Sequence, residues 1–138
     1  MTAPVAVGID PGKKKRRKMG VSPTRRTLAW LRSHGYVADV VEQTLPRCFI
    51  KRDLFGCFDI VAVKPGSPIL AVQTTSTRTA ERTVKIEESA AARDWLAAGG
   101  AIEVHGWVKR VKGGVFHYGL RRLVAHFDGA SVRWTEAP

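Results

Sequence analysis

A chain of 138 residues with 44% hydrophobic side chains has the size of one domain and can bury a core of its own. No stretch approaches the roughly eighteen apolar residues of a membrane span, and Cys48 and Cys57 supply neither a disulfide framework nor a Cys-x-x-Cys zinc spacing. The formal net charge of +11 points to a polyanionic partner.

That charge is concentrated at the start of the chain. Residues 1–33 hold nine Lys and Arg against one acid, Asp10, and so carry +8, leaving +3 for residues 34–138. Lys13, Lys14, Lys15, Arg16, Arg17 and Lys18 form an uninterrupted basic block. Such a block repels itself, so residues 1–21 read as a basic, disordered tail and residues 22–138 as the folded domain. Each phosphate neutralised by a basic side chain releases counterions. The block, together with Arg25 and Arg26, is therefore the first candidate for DNA contact. An anionic membrane surface fits less well, because no amphipathic helix with bulky apolar residues adjoins the block. The apolar run Val5 to Ile9 is too short for a signal peptide and precedes the basic residues, so a cytoplasmic location is expected.

Ser22-Pro23 opens the first predicted helix, with serine as N-cap and proline at the first helical position. Leu28, Trp30 and Leu31 are its apolar positions, and Gly35 suits a left-handed cap at its end. Residues 36–43 read as a strand and 44–55 as a loop. Residues 58–63 and 69–75 read as two apolar strands joined by Lys64-Pro65-Gly66-Ser67-Pro68, in which Pro-Gly is a strong turn signal. A helix is expected over 80–98, stopped by Gly99-Gly100. Strands follow over 101–109 and 115–124 around Gly113-Gly114, and a short one over 132–135 completes the list. The order α-β-β-β-α-β-β, with that short strand as an optional addition, makes an α/β domain with a mixed β-sheet flanked by helices. The helix after residue 75 allows the strands on either side of it to pair in parallel.

The hairpin carries the chemistry. If Val63 faces Ile69, facing positions sum to 132 and Asp59 lies opposite Gln73, with Thr75 two residues on along the same side. A carboxylate and two polar groups then converge at the end of strands that are otherwise Ile, Val, Leu and Ala, where unpartnered polar groups are costly. A one-residue slip would separate them onto opposite faces.

The run Arg52-Asp53-Leu54-Phe55-Gly56-Cys57-Phe58-Asp59, followed by Val72-Gln73-Thr74-Thr75, resembles the PD-(D/E)XK nuclease superfamily. The resemblance is to small phage and bacterial endonucleases similar to archaeal-type Holliday-junction resolvases, and it covers roughly residues 22–110. It implies a restriction-endonuclease-like sheet and a deoxyribonuclease acting on branched or structured DNA. It further implies Mg²⁺ or Mn²⁺ as cofactor, with Asp59, Gln73 and the Thr74 carbonyl as metal ligands. Thr75 stands where that family has lysine. A lysine can migrate to the following helix, where Arg78, Arg82 and Lys85 share a face at spacings of four and three. Lys85 is the candidate for handling water, since arginine is effectively never deprotonated, and Arg78 and Arg82 suit phosphates.

Glu42 and Asp53 are further acids that would complete a carboxylate cluster, although Asp53 equally suits an ion pair with Arg52 or a cap on the Leu54-Phe55 turn. His105, Trp107 and Lys109 alternate along one strand, whose face is open to either DNA contact or core packing. Gly8 to Gly12 resembles the first catalytic strand of ribonuclease-H-like resolvases. The basic block and a proline-started helix follow where that fold needs a long hairpin. Two readings stay open, a metal-dependent nuclease and a non-catalytic nucleic-acid-binding protein on the same fold. A homodimer is carried as a candidate assembly.

Overall fold

The computed structural model describes residues 20–47 and 50–138. The basic block from Lys13 to Lys18, and with it most of the expected tail, lies outside the described residues. The domain is mixed α/β, with a six-stranded sheet in the order β1-β4-β5-β6-β7-β8 and three helices.

Helix α1 (Pro23–Ser33) begins as the sequence predicts, with the Ser22 hydroxyl accepting from the Arg25 amide at 3.2 Å. It ends in a Schellman arrangement. Gly35 at φ +88° returns its N–H to the Arg32 carbonyl, and the Tyr36 N–H reaches the Leu31 carbonyl. Strand β1 (Val37–Val40) pairs antiparallel with β4 (Ile60–Val63). Strand β4 pairs antiparallel with β5 (Leu70–Thr75) through Ile60↔Val72, Val61↔Ala71 and Ala62↔Leu70. These pairs have the register expected from the turn, in which Gly66 takes φ +82° and the Ser67 amide bonds the Lys64 carbonyl.

Strand β5 is buried along its whole length, apolar at Leu70, Ala71 and Val72 and polar at Gln73, Thr74 and Thr75. Its Leu70 and Val72 join Leu31, Ala38, Ile60 and Ala62 beneath α1 on one face of the sheet. On the other face Ala71, Ile102, Val104 and Leu123 pack with Phe58, Ile86 and Ala92.

The chain departs from expectation in three places. The single helix over 80–98 is two, α2 (Thr79–Glu87) and α3 (Ala90–Ala97), because the Ser89 side chain turns back to accept from the Ala92 amide and caps a new helix. The loop over 44–55 contains β3 (Lys51–Arg52), paired with β2 (Gln43–Thr44). The closing strands are longer than expected: β6 (Ala101–Lys112), β7 (Val115–Phe127) and β8 (Val132–Ala137). Strand β6 pairs in parallel with β5, as the crossover predicts. No helix among the described residues is long and apolar enough to cross a membrane.

Candidate metal and phosphodiester site

Four polar residues meet because three antiparallel registers run into one another. Continued by one residue, the Gln43↔Arg52 pairing sets Glu42 opposite Asp53. Leu54 and Phe58 form an isolated bridge whose two backbone hydrogen bonds are both 3.0 Å, and one step outward Asp53 faces Asp59. Asp59 sits one step before the last β4–β5 pair, Ile60↔Val72, and its carboxylate reaches Gln73 and Thr74. The tight loop inside the bridge needs positive φ at Phe55 (55°) and Gly56 (70°), and phenylalanine adopts that conformation at a cost of about 1 kcal/mol. The Asp59 backbone is fixed on both sides, its N–H donating to the Val72 carbonyl and its carbonyl accepting from Val41, each at 2.9 Å.

One carboxylate oxygen each from Glu42, Asp53 and Asp59 lies within 4.8 Å of the others. Each like-charged pair at that distance costs roughly 3 kcal/mol, even at an effective dielectric constant of about 20. Lys51 offsets Glu42 at 3.4 Å, and Lys85 offsets Asp53 at 3.8 Å. Asp59 has no cationic partner among the described residues. Its Oδ2 instead accepts from the Gln73 amide nitrogen (2.9 Å), the Thr74 N–H (2.9 Å) and the Thr74 hydroxyl (3.0 Å). Burial pushes its pKa up to about 6, aided by the charges of Asp53 and Glu42 and opposed by the Thr74 hydrogen bonds.

The orientation of Gln73 follows from Asp59. Pointing its NH₂ at the carboxylate leaves Oε1 buried with no partner among the described residues. An orphaned amide oxygen beside three carboxylates is an all-oxygen donor set of the kind that hard divalent cations use.

A cleft of about 520 Å³ opens here, lined among others by Thr24, Glu42, Asp53, Asp59, Gln73 and Arg82. Arg78 also lines it and pairs with Glu81 at 3.8 Å, while the buried Arg82 Nε has no partner among the described residues. Thr75, in the place of the expected lysine, accepts from the Arg78 amide at 3.1 Å in the turn that leads into α2. Asp53 pairs with Lys85 and not with Arg52, and its carbonyl accepts from Gly56 within the loop.

Arg25 and Arg26 lie away from this cleft, along α1, where Arg26 sits 3.7 Å over the Tyr118 ring. The alternating face of His105, Trp107 and Lys109 divides between packing and solvent. His105 is 0% exposed and held by Thr27 and Glu103, Trp107 donates to the Thr27 hydroxyl, and only Lys109 is exposed. Two participants escaped the sequence reading. The Thr24 hydroxyl meets that of Thr74 at 2.9 Å across fifty residues, and Lys51 depends on the unforeseen β2–β3 pairing.

The raised pKa of Asp59 has a thermodynamic consequence. Its contribution is fully present below about pH 3.8, where even the unfolded chain carries a neutral carboxyl, and is lost as pH rises through about 6. Metal-free Asp59→Asn should therefore match the parental stability near pH 4 and exceed it at pH 7.5, by up to about 3 kcal/mol. His105, whose pKa burial lowers, opposes this trend in both proteins and cancels in the difference. Urea unfolding of the pair at the two pH values, in chelator, is the check; a difference that does not grow with pH contradicts the assignment.

No protein-family model matches the chain, and no curated protein and no solved structure matches it.

Proposed function

We propose that the chain is a metal-dependent endodeoxyribonuclease of restriction-endonuclease-like architecture, cleaving branched or structured DNA in the cytoplasm. The observation that supports this reading best is the convergence of Glu42, Asp53 and Asp59 beside the unpartnered Gln73 Oε1. The branched substrate rests on the sequence resemblance alone.

Asp59, Gln73 Oε1 and the Thr74 carbonyl would hold Mg²⁺ or Mn²⁺, with Glu42 and Asp53 alongside. When bound, such an ion stabilises charge on phosphoryl oxygens and lowers the pKa of a water. Arg78 and Arg82 line the same cleft and suit the phosphates on either side of the scissile bond. The Lys85 ammonium, 3.8 Å from Asp53, would orient a water or exchange its Nζ proton with it. A neutral glutamine binds cations more weakly than glutamate, so millimolar Mg²⁺ or a preference for Mn²⁺ is expected.

Thr75 favours the second reading, a non-catalytic DNA-binding protein, since it stands in the place of the lysine and its hydroxyl is engaged with the Arg78 amide. Incubating purified protein with labelled linear, flapped and four-way DNA, with Mg²⁺, Mn²⁺ or chelator, separates the two. Cleavage that depends on the divalent ion is expected. Binding without cleavage on every substrate would leave the non-catalytic reading.

A further inference from the structure

The β6–β7 hairpin outruns the rest of the sheet. Strand β5 follows β6 only as far as Thr75↔Gly106, and β8 follows β7 only over Arg122 to Phe127. Residues 107–121 therefore form a two-stranded ribbon flanked by no other strand among the described residues. Because β6 runs parallel to β5, the ribbon continues past the end of β5 that carries Gln73, Thr74 and Thr75. Six residues, Trp107 to Lys112, take it about 20 Å beyond that end.

Residues 107–122 include Lys109, Arg110, Lys112, Arg121 and Arg122 and no Asp or Glu. Arg121 and Arg122 are paired with Glu136 and Glu103, but Lys109, Arg110 and Lys112 have no carboxylate within ion-pair distance among the described residues. The cross-strand pairs put these cations on both faces, Lys109 beside Tyr118 on one and Arg110 beside His117 on the other. At the tip, around Gly113 and Gly114 with φ of 60° and 76°, sit Val111, Val115 and Phe116, exposed at 64%, 58% and 61%. The base of the ribbon rests on α1 through Trp107 and Tyr118. Its tip, where Lys109 sits 4.0 Å over the Phe116 ring, holds three exposed apolar side chains that call for a partner apolar inside and anionic on both sides.

We infer that the β6–β7 ribbon is a duplex-binding arm that enters the major groove of DNA tip first, next to the cleft. A ribbon with side chains on both faces is about 10 Å thick, which suits a major groove about 12 Å wide and not a minor groove about 6 Å wide. The groove is about 8.5 Å deep, so two to three residues of each strand, at about 3.4 Å apiece, reach its floor. Those are the tip residues Val111, Val115 and Phe116, which meet base edges and thymine methyls. Lys109 and Arg110 lie one step back, level with the phosphate walls on either side. Basic residues on both faces are what entry between two walls requires. The inference shares with the proposed function the premise that DNA is the partner, and it does not depend on catalysis.

The test is binding of the full chain to a labelled linear duplex in chelator, followed by fluorescence anisotropy over a range of salt. Lys109→Ala combined with Arg110→Ala should weaken binding at least about tenfold and reduce the slope of log affinity against log salt by about 1.8, the value for two lost phosphate contacts. Phe116→Ser should weaken duplex binding and leave that slope unchanged. In the parental complex, guanine N7, a major-groove atom, should be protected from dimethyl sulfate, and the double variant should lose the protection. All these positions are exposed, and unchanged circular dichroism confirms folding. Parental affinity and slope in both variants would overturn the arm, as would fully reactive N7 in the parental complex or a loss confined to anionic vesicles. No divalent ion is present, so a chain that never cleaves DNA still gives the expected result. A parental chain that binds no duplex removes the DNA premise itself, whereas indifferent variants remove only the arm.

Discussion

Asp59→Asn should lose cleavage by at least about a thousandfold while keeping its fold and its grip on DNA. The loss corresponds to about 4 kcal/mol, within the several kcal/mol a positioned metal contributes to stabilising transition-state charge. Asparagine fits the same space, and its carbonyl can still accept from the Thr74 N–H and hydroxyl that now bond Oδ2. What it removes is the negative charge, in the one member of the carboxylate trio that has no lysine beside it among the described residues. DNA affinity should hold or rise, because a buried repulsive carboxylate has gone. Steady-state cleavage at saturating Mn²⁺, with duplex affinity measured in parallel, gives both numbers. Near-parental cleavage would place the chemistry elsewhere in the molecule.

Lys85→Ala should lower the cleavage rate by at least about a hundredfold, the low end for a positioned acid–base group, with duplex affinity retained. Two roles are combined in this side chain, because the 3.8 Å contact with Asp53 also fixes a carboxylate of the cluster. Lys85→Arg separates them. Arginine keeps the positive charge at Asp53 but is effectively never deprotonated, so it rescues an anchoring role and fails in proton exchange. Rescue by arginine with an unchanged pH–rate profile makes Lys85 a positioning residue. Parental cleavage by Lys85→Ala would show that neither role matters and that the lysine missing at Thr75 has no replacement on α2.

The Pro65-Gly66 turn made the core of the site legible from sequence, because turn chemistry sets the β4–β5 register, and that register brings Asp59, just before β4, within hydrogen-bond reach of Gln73 and Thr74. The ends of α1 were legible for a similar reason, since Ser22, Pro23 and Gly35 act within one turn of themselves. The break between α2 and α3 was hidden inside a run of good helix formers, where only Ser89 competes for the backbone. The β2–β3 pairing was hidden because two-residue strands have no periodicity to read. With it went the means of placing Glu42 against Asp53 and Lys51 against Glu42. Thr24 reaches Thr74 only because α1 packs across the sheet, a contact that no local spacing encodes. The length of β6 beyond residue 109 was understated because an exposed ribbon buries neither face and so lacks the alternation that marks a strand.

The central claim is that Asp59 and Gln73 build a divalent-cation site, and calorimetric titration of the purified chain with Mn²⁺ tests it most directly. Gln73→Glu adds a carboxylate where the unpartnered amide oxygen now lies, and Asp59→Asn removes the facing one, so the two substitutions should move affinity in opposite directions. The expected result is binding by the parental chain, no measurable binding by Asp59→Asn and tighter binding by Gln73→Glu. Equal affinity in all three proteins would contradict the site and, with it, the enzymatic reading.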